Sequence, residues 1–373
     1  MIKYRSKSAV IAVVFLVILN ILAVLSLFCS YAAQYIDPRE AWIFALFGLV
    51  YPWILIVNIA FVVLWLILWK KYAILSIIAI LIGWNHLTTI IRFDYNSPVL
   101  LPGRNFSVIT YNVHGFLGQE NANRDVQKEI IEFLAKERPT ILCLQEFRIR
   151  KAQIKPILRN MASAWQLPYW TVEDYYHTNP MGGLNGFATF SAYPVVHKGT
   201  LSYKDMSHFA IFSDIVMDQD TFRIFNMHLA SLRLGKRDVD FYYQLKNTET
   251  ENMHLKDGIF SILRKLKTAF RLRASQTEIL LDAIQSSPYP VLLCGDMNDS
   301  PFSYTYRRLT EKLKDAYREA GEGFLGNTYD GALPNYRIDY ILHGKHFKAC
   351  LYKKMNVTFS DHYPVSGLLH VLH

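Results

Sequence analysis

The sequence predicts an α/β domain of alternating strands and helices, carried behind about three transmembrane helices. Three observations predict it. Composition breaks near residue 100. After the break, apolar residues recur with strand and helix periods in turn. Several strand-like segments also end in a residue suited to metal ligation or proton transfer.

The break is sharpest in charge. Residues 1–100 hold 7 Lys+Arg and 3 Asp+Glu, leaving 33 and 28 to residues 101–373, a net charge of +5. That excess suits either a solvated basic surface or a partner bearing phosphate or anionic lipid. The four cysteines, Cys29, Cys143, Cys294 and Cys350, show no zinc spacing and no disulfide framework. Cys143 and Cys294 lie in strand-like runs and read as buried free thiols.

Residues 1–95 are predicted to be an anchor with spans at about 8–29, 50–69 and 72–91, given the ~20 apolar residues a bilayer crossing needs. A signal peptide competes for residues 1–29. Against it stand a long apolar stretch, no small-x-small cleavage site, and two further runs directly behind. The second run, 41–69, contains Pro52 and is read as a short interfacial piece followed by a span. Lys3, Arg5 and Lys7 precede the first span, and Lys70 and Lys71 separate the second from the third. Positive charge on the cytoplasmic side then puts residue 92 onward outside, the periplasm in a bacterial cell. His86 reads as an interfacial polar residue. Trp42, Trp53, Trp65, Trp69 and Trp84 read as an aromatic belt.

Residues 103–373 form the predicted second domain. Strands are expected at 106–113, 140–146, 186–195, 208–217, 222–230, 289–296 and 336–344, with helices at 124–139 and 273–287. Asn112, Glu146, His228, Asp296 and Asp339 fall at strand ends or beside them, which suggests one site at one rim of a sheet structure.

The segments TYNVHG, LQE, NMHLAS, GDMNDSP, RIDYIL and SDHYP occur in that order. They resemble the successive signatures of the endonuclease/exonuclease/phosphatase superfamily, whose members share the deoxyribonuclease I-like fold. The resemblance covers about residues 104–373 and implies a four-layer α/β/β/α sandwich. It also implies a divalent-metal-dependent hydrolase of phosphoester bonds, using Mg2+ or alternatively Mn2+. By that resemblance Glu146, Asn112 and Asp361 are candidate metal ligands. Asp296 orients or deprotonates the attacking water, and His362 is the principal histidine, supported by Asp339. His228 is a candidate general acid. Asn298, Asn226 and Asn185 are candidate phosphate contacts. Other readings stand beside these: Asn112 as a strand-end cap, His228 as a packed histidine, Asp361 as a residue acting through water, Asn226 as a prop for His228, and Asn185 as a turn residue. His114, His177 and His208 read as ordinary histidines.

Residues at about 232–270 form an insertion relative to the family. Within it IFSILRKLKTAFRLR reads as a helix with a basic face, either packed on the body or lying on anionic lipid. Three functions are carried forward. One is a membrane-anchored phosphodiesterase acting on a lipid head group or envelope phosphoester. The second is an extracytoplasmic nuclease, and the third a non-catalytic membrane scaffold. The implied partners are the lipid bilayer and the phosphoester substrate, lipid or nucleic acid; no protein partner is predicted.

Overall fold

The computed structural model describes residues 7–89, 101–119, 125–149, 154–175, 183–204, 207–232, 238, 255–321, 326–331 and 335–372. Most of the predicted insertion, residues 233–237 and 239–254, lies outside the described residues, as does His177.

Two six-stranded sheets face each other. One runs β11 (Phe347–Lys354), β12 (Val365–Val371), β1 (Asn105–Asn112), β2 (Ile141–Ile149), β4 (Leu184–Ser191), β3 (Tyr169–Asp174), and the other β5 (Val195–Tyr203), β6 (Ser207–Met217), β7 (Asp220–His228), β8 (Val291–Asp296), β10 (Asp339–His343), β9 (Lys314–Asp315). The strands that build the site are β1 (Asn105–Asn112), β2 (Ile141–Ile149), β7 (Asp220–His228), β8 (Val291–Asp296) and β10 (Asp339–His343). Their period-2 pattern buries both faces. Phe106 and Val108 of β1, with Ile141 and Cys143 of β2, meet Ile224, Leu292 and Cys294 of the other sheet. Ile109, Tyr111, Leu142 and Leu144 point the other way, against Ile130, Leu134, Leu158 and Trp165 of two covering helices. The second sheet is covered likewise by Leu280, Leu281 and Ile284 of the helix Leu255–Gln285. This is the expected four-layer sandwich. All four cysteines are free thiols.

The helix Leu255–Gln285 runs unbroken for 31 residues. The expected helix start near Arg273 is therefore corrected. Arg273 is buried mid-helix and pairs with Asp299 at 3.2 Å, so a residue that reads as a polar boundary is an interior brace. Leu266, Ala269 and Phe270 pack inward while Arg264 and Arg271 are exposed. This is the packed-on-body arrangement, although Ile259 and Phe260 remain exposed.

The leader departs from three spans. Among the described residues only α1 (Lys7–Ala32) is by itself long and apolar enough to cross a membrane. At 1.5 Å per residue its 26 residues reach about 39 Å. The second run breaks into α3 (Ile43–Leu49) and α4 (Tyr51–Ile67), bent by 66° at Val50, and counts as one further span only if the pair is taken together. Pro52 has no N–H to donate, so it sits in the first turn of α4 and starts a helix there. The described residues of the third run hold the 10-residue α5 (Ala73–Ile82) and the four-residue helix Trp84–Leu87, each shorter than a span.

These helices are apolar outside and polar inside. Ile11, Phe15, Trp53, Ile67 and Ile82 are exposed. Asn20, Asn58, Trp65 and Ser76 are buried together. Asn20 Nδ2 donates to Ser76 Oγ at 2.7 Å, Ser76 Oγ donates to Asn58 Oδ1 at 3.1 Å, and Trp65 Nε1 donates to Asn20 Oδ1 at 2.9 Å. Trp65 therefore belongs to the bundle interior and not to an aromatic belt. His86 is likewise buried, its ring 4.6 Å from that of Tyr31.

The leader docks on the sandwich at the loop after β8. Phe302 is buried among Leu27, Tyr31, Tyr51, Leu55 and Ala79. Gln34 Nε2 donates to Pro301 O at 2.8 Å, and Tyr336 Oη donates to Leu49 O at 2.5 Å.

Candidate active site

The site lies where two parallel strand pairs end side by side. β1 and β2 run parallel with Asn112 opposite Gln145, and β7 and β8 run parallel with His228 opposite Asp296. β10 runs antiparallel to β8 and starts with Asp339 opposite Asp296. One rim thus collects five polar side chains from five strands. Two local distortions aim them. The β2–β4 register slips between Leu144 and Phe147, and Glu146 within this bulge has φ 48°. A bulge re-aims one side chain, and such strain persists where the surroundings enforce it. Gly295 has φ 134°, and a Cβ there would meet Met227 O at 2.0 Å, so only glycine fits before Asp296.

Asp339, His362 and Asp296 form a buried chain. Asp339 Oδ2 lies 2.9 Å from His362 Nδ1, and His362 Nε2 lies 3.7 Å from Asp296 Oδ2. Burial opposes a charge on His362. The flanking carboxylates of Asp339 and Asp296 outweigh burial and raise its pKa well above the usual value, so it is an imidazolium at neutral pH. For Asp296 the balance is reversed. Burial pushes its carboxyl up to about 6, against the pull of His362 and His228. Asn298 braces Asp296: its backbone N–H donates to Oδ1 at 2.7 Å and its Nδ2 to Oδ2 at 3.1 Å. Asn298 adopts φ 53°, which asparagine tolerates.

Glu146 carries a third of its side chain exposed. Burial would raise its pKa, but His228 and Asn112 hold it below the ordinary carboxylate value. His228 Nε2 lies 3.6 Å from both Glu146 Oε1 and Asp296 Oδ2, and this buried nitrogen has no hydrogen-bond partner. It faces the same space as the two carboxylates.

The structure brings Asn112, Glu146, His228, Asp296, Asn298, Asp339 and His362 together, with Asp361 at the edge. Three roles change. Asn226 is fully buried; its Nδ2 donates to Leu144 O, Ala188 O and Thr189 Oγ1, and its Oδ1 accepts from Gln145 Nε2 at 2.7 Å. It ties the two sheets together and has no donor left for phosphate. Asn298 Nδ2 also donates to Leu229 O at 3.0 Å, so both amide hydrogens are engaged. Asn112 turns its Nδ2 toward Glu146 Oε1 and Asp296 Oδ2, each at 3.1 Å, and its Oδ1 accepts from His114 N. As placed it links the carboxylates, and ligation through oxygen requires the amide to turn over. Asn185 lies in β4 (Leu184–Ser191), beside Arg148 of β2. Asp361 Oδ1 is 3.5 Å from His114 Nδ1.

Four residues were not picked out from the sequence. His114 joins Asp361 at the rim. Tyr175 touches both Glu146 and His228. Arg273 donates to Asn298 O and reaches Ala230 O, and Gln276 Oε1 accepts from Ala230 N at 2.9 Å. Together the last two clamp the loops after β7 and β8. His114 directly follows a motif strand, which is a usable signal; the other three sit in no motif.

A divalent cation fits this donor set. Asp296, Asp339 and His362 place one ligand atom each within 4.8 Å of one another. Glu146 Oε1 and Asp296 Oδ2, each 3.6 Å from His228 Nε2, add further carboxylate oxygens at the same rim. Oxygen donors with one exposed carboxylate suit Mg2+, which keeps several waters.

Two parallel strand pairs inside facing sheets, with acids and histidines converging at their ends, define the class of fold. The comparisons place the chain within it: the model of the Endonuclease/Exonuclease/phosphatase family matches residues 109–362, and the chain belongs to that family. A model described only as a domain of unknown function matches residues 13–90. The chain is similar to an endonuclease/exonuclease/phosphatase from Beutenbergia cavernae DSM 12333, at 16% identity and TM-score 0.51, covering 72% of each chain. It is also similar to one from Bacteroides vulgatus, at 14% identity and TM-score 0.51, covering 72% of this chain and 100% of that one. These likenesses concern the fold. No curated protein matches the sequence.

Proposed function

We propose that this protein is a divalent-cation-dependent phosphodiesterase held at a membrane by its leader, acting on a phosphoester at the bilayer surface. The observation that supports it most is the convergence of Glu146, Asp296, His362 and the unpartnered His228 Nε2 on one space. Glu146 would hold the cation, with Asp361 nearby and Asn112 once its amide is turned. When bound, the cation neutralises phosphate charge and stabilises the charge that develops on its oxygens. Asp296, braced by Asn298, orients a water and takes its proton. The His362 imidazolium, held by Asp339, donates to a phosphate oxygen. His228 stands on the opposite side of Asp296 as a donor to the leaving oxygen.

The base role of Asp296 fixes a pH dependence. A base works deprotonated, so turnover rises with pH through its pKa. Without cation that value is about 6. A bound cation lowers it. The rising limb of the kcat profile is therefore expected at or below pH 6; a limb centred above pH 7 contradicts the assignment.

Glu146 and His362 have separable roles. Glu146→Gln is expected to raise the Mg2+ concentration needed for half-maximal activity by about tenfold or more, in line with one lost charged ligand. His362→Ala lowers turnover at saturating Mg2+ while shifting that concentration little. Superimposable Mg2+ titrations for the two variants refute the division.

A membrane-borne substrate is favoured by the seating of Phe302, which puts the leader against the loop that begins at Asp296. Lys7 and the pair Lys70 and Lys71 lie at the ends of α1 and α4 away from Phe302, while Ala79 of α5 packs beside it, which favours a sandwich on the non-cytoplasmic side. A reporter fused after residue 373 is then active only outside the cytoplasm. The second reading, a nuclease, rests on the positive net charge of residues 101–373. Full-length protein with Mg2+, assayed on phospholipid vesicles and on plasmid DNA, separates them: turnover of DNA alone sinks the lipid reading.

A further inference from the structure

We infer that Tyr175 is a positioning residue whose hydroxyl fixes His228 as the Nε2–H tautomer, so that His228 faces the site as a donor only. Tyr175 directly follows β3 (Tyr169–Asp174). Its backbone is pinned on both sides: its N–H donates to Asn185 O at 2.9 Å, and its carbonyl accepts from His208 N at 2.7 Å. Its ring stands edge-on to Phe187, with centroids 4.9 Å apart. The hydroxyl is thereby delivered to one place between Glu146 and His228.

Two independent contacts assign the proton. Glu146 N–H donates to Tyr175 Oη at 2.8 Å, and a backbone N–H has no other role to play. The hydroxyl oxygen accepts on the Glu146 side, and the ring hydrogen that the Nε2 side calls for leaves Nδ1, 2.7 Å from the hydroxyl, to accept from it. Nδ1 then accepts, and the ring proton sits on Nε2. On the far side of the ring, Nε2 faces Glu146 Oε1 and Asp296 Oδ2, both at 3.6 Å. A lone pair aimed at two carboxylates is repelled, whereas an N–H is attracted. Both sides of the ring require the same tautomer.

The consequence is a division of labour. With Nδ1 occupied, His228 presents no base to the site, and proton abstraction falls to Asp296. His228 can donate its Nε2 hydrogen to the leaving or phosphate oxygen, a role that rests on the phosphoesterase reading above. The tautomer itself rests on the contacts alone. The same hydroxyl also anchors the backbone of Glu146 at its left-handed φ of 48°, so one side chain sets both the carboxylate and the histidine.

The test is a long-range proton–nitrogen NMR correlation on full-length protein in detergent micelles, labelled with 15N-histidine, with the His228 signal assigned by loss in H228Q. The wild type is expected to show Nδ1 unprotonated and Nε2 protonated, and Tyr175→Phe to show the two nitrogens averaged between tautomers. Tyr175→Phe is also expected to lower kcat about tenfold on a diester with a poor alkyl leaving group. On bis(p-nitrophenyl) phosphate, whose leaving group needs little protonation, kcat changes far less, and KM barely moves on either. Protonated Nδ1 in the wild type overturns the inference even if the variant does not fold. A variant spectrum identical to the wild type overturns it as well. The expected tautomer in a wild type that turns over no phosphoester supports the positioning role and overturns the phosphoesterase reading instead.

Discussion

Asp296→Asn is expected to lower turnover of a phosphodiester by about a thousandfold while the protein stays folded, the scale on which a lost general base acts. The substitution keeps shape and size. It keeps an oxygen to accept from Asn298 N, and it removes the carboxylate that His362 and His228 both face. Two effects on stability oppose each other. Burial works against the Asp296 charge: its raised pKa means the folded state disfavours the ionised form. A folded-state pKa of about 6 lies above the unfolded value, so this ionisation weakens the fold as pH rises between the two. Removing it relieves that cost, but the new Nδ2 meets the amide donors of Asn112 and Asn298 where Oδ2 accepted, so the thermal midpoint is expected to fall while the protein stays folded. Circular dichroism melting together with initial rates on bis(p-nitrophenyl) phosphate measures both. A variant within a few-fold of wild-type turnover removes Asp296 from the chemistry.

Phe302→Ala is expected to destabilise the protein by roughly 3–5 kcal/mol, the usual cost of emptying a buried phenyl site. The ring is buried at 2% exposure and lies 4.3 Å, centroid to centroid, from Tyr51. Its loss cuts the main contact between the leader and the loop running from Asp296 to Ser303. The effect should be local first. Amide hydrogen exchange of residues 297–303 accelerates before that of β7 or β8, and turnover falls because Asp296 and Asn298 share that loop. Exchange in the loop indistinguishable from wild type, with an unchanged melting midpoint, would show that the leader and the site are mechanically independent.

The architecture was legible wherever period-2 runs were long and apolar on both faces, as in VLLCGD and ILCLQE, because burial on two sides leaves nothing polar until the strand ends. The edge strand VVHKGTLSY (Val195–Tyr203) was not picked out, since most of its side chains are exposed or half-buried and carry no core signal. The candidate acids and histidines were legible in ordered motifs, most of them at strand ends. Asn226 shows where that reading stops. An asparagine two residues before the candidate histidine His228 looks like a substrate contact, but its partners Leu144, Ala188 and Gln145 lie on a different sheet, and no local pattern shows them. Tyr175 was missed for the same reason: its role is set by a backbone N–H 29 residues away. In the leader, hydropathy located the apolar runs but not their breaks. Val50 and Gly83 end helices inside stretches that remain apolar throughout.

The central claim is that the rim of Glu146, Asp296 and His362 hydrolyses phosphoesters with a divalent cation. Its most direct test is the rate of bis(p-nitrophenyl) phosphate hydrolysis by full-length wild type and Asp296→Asn, each with Mg2+ and with chelator. Turnover is expected in one of the four conditions, wild type with Mg2+. Equal rates in all four would contradict it.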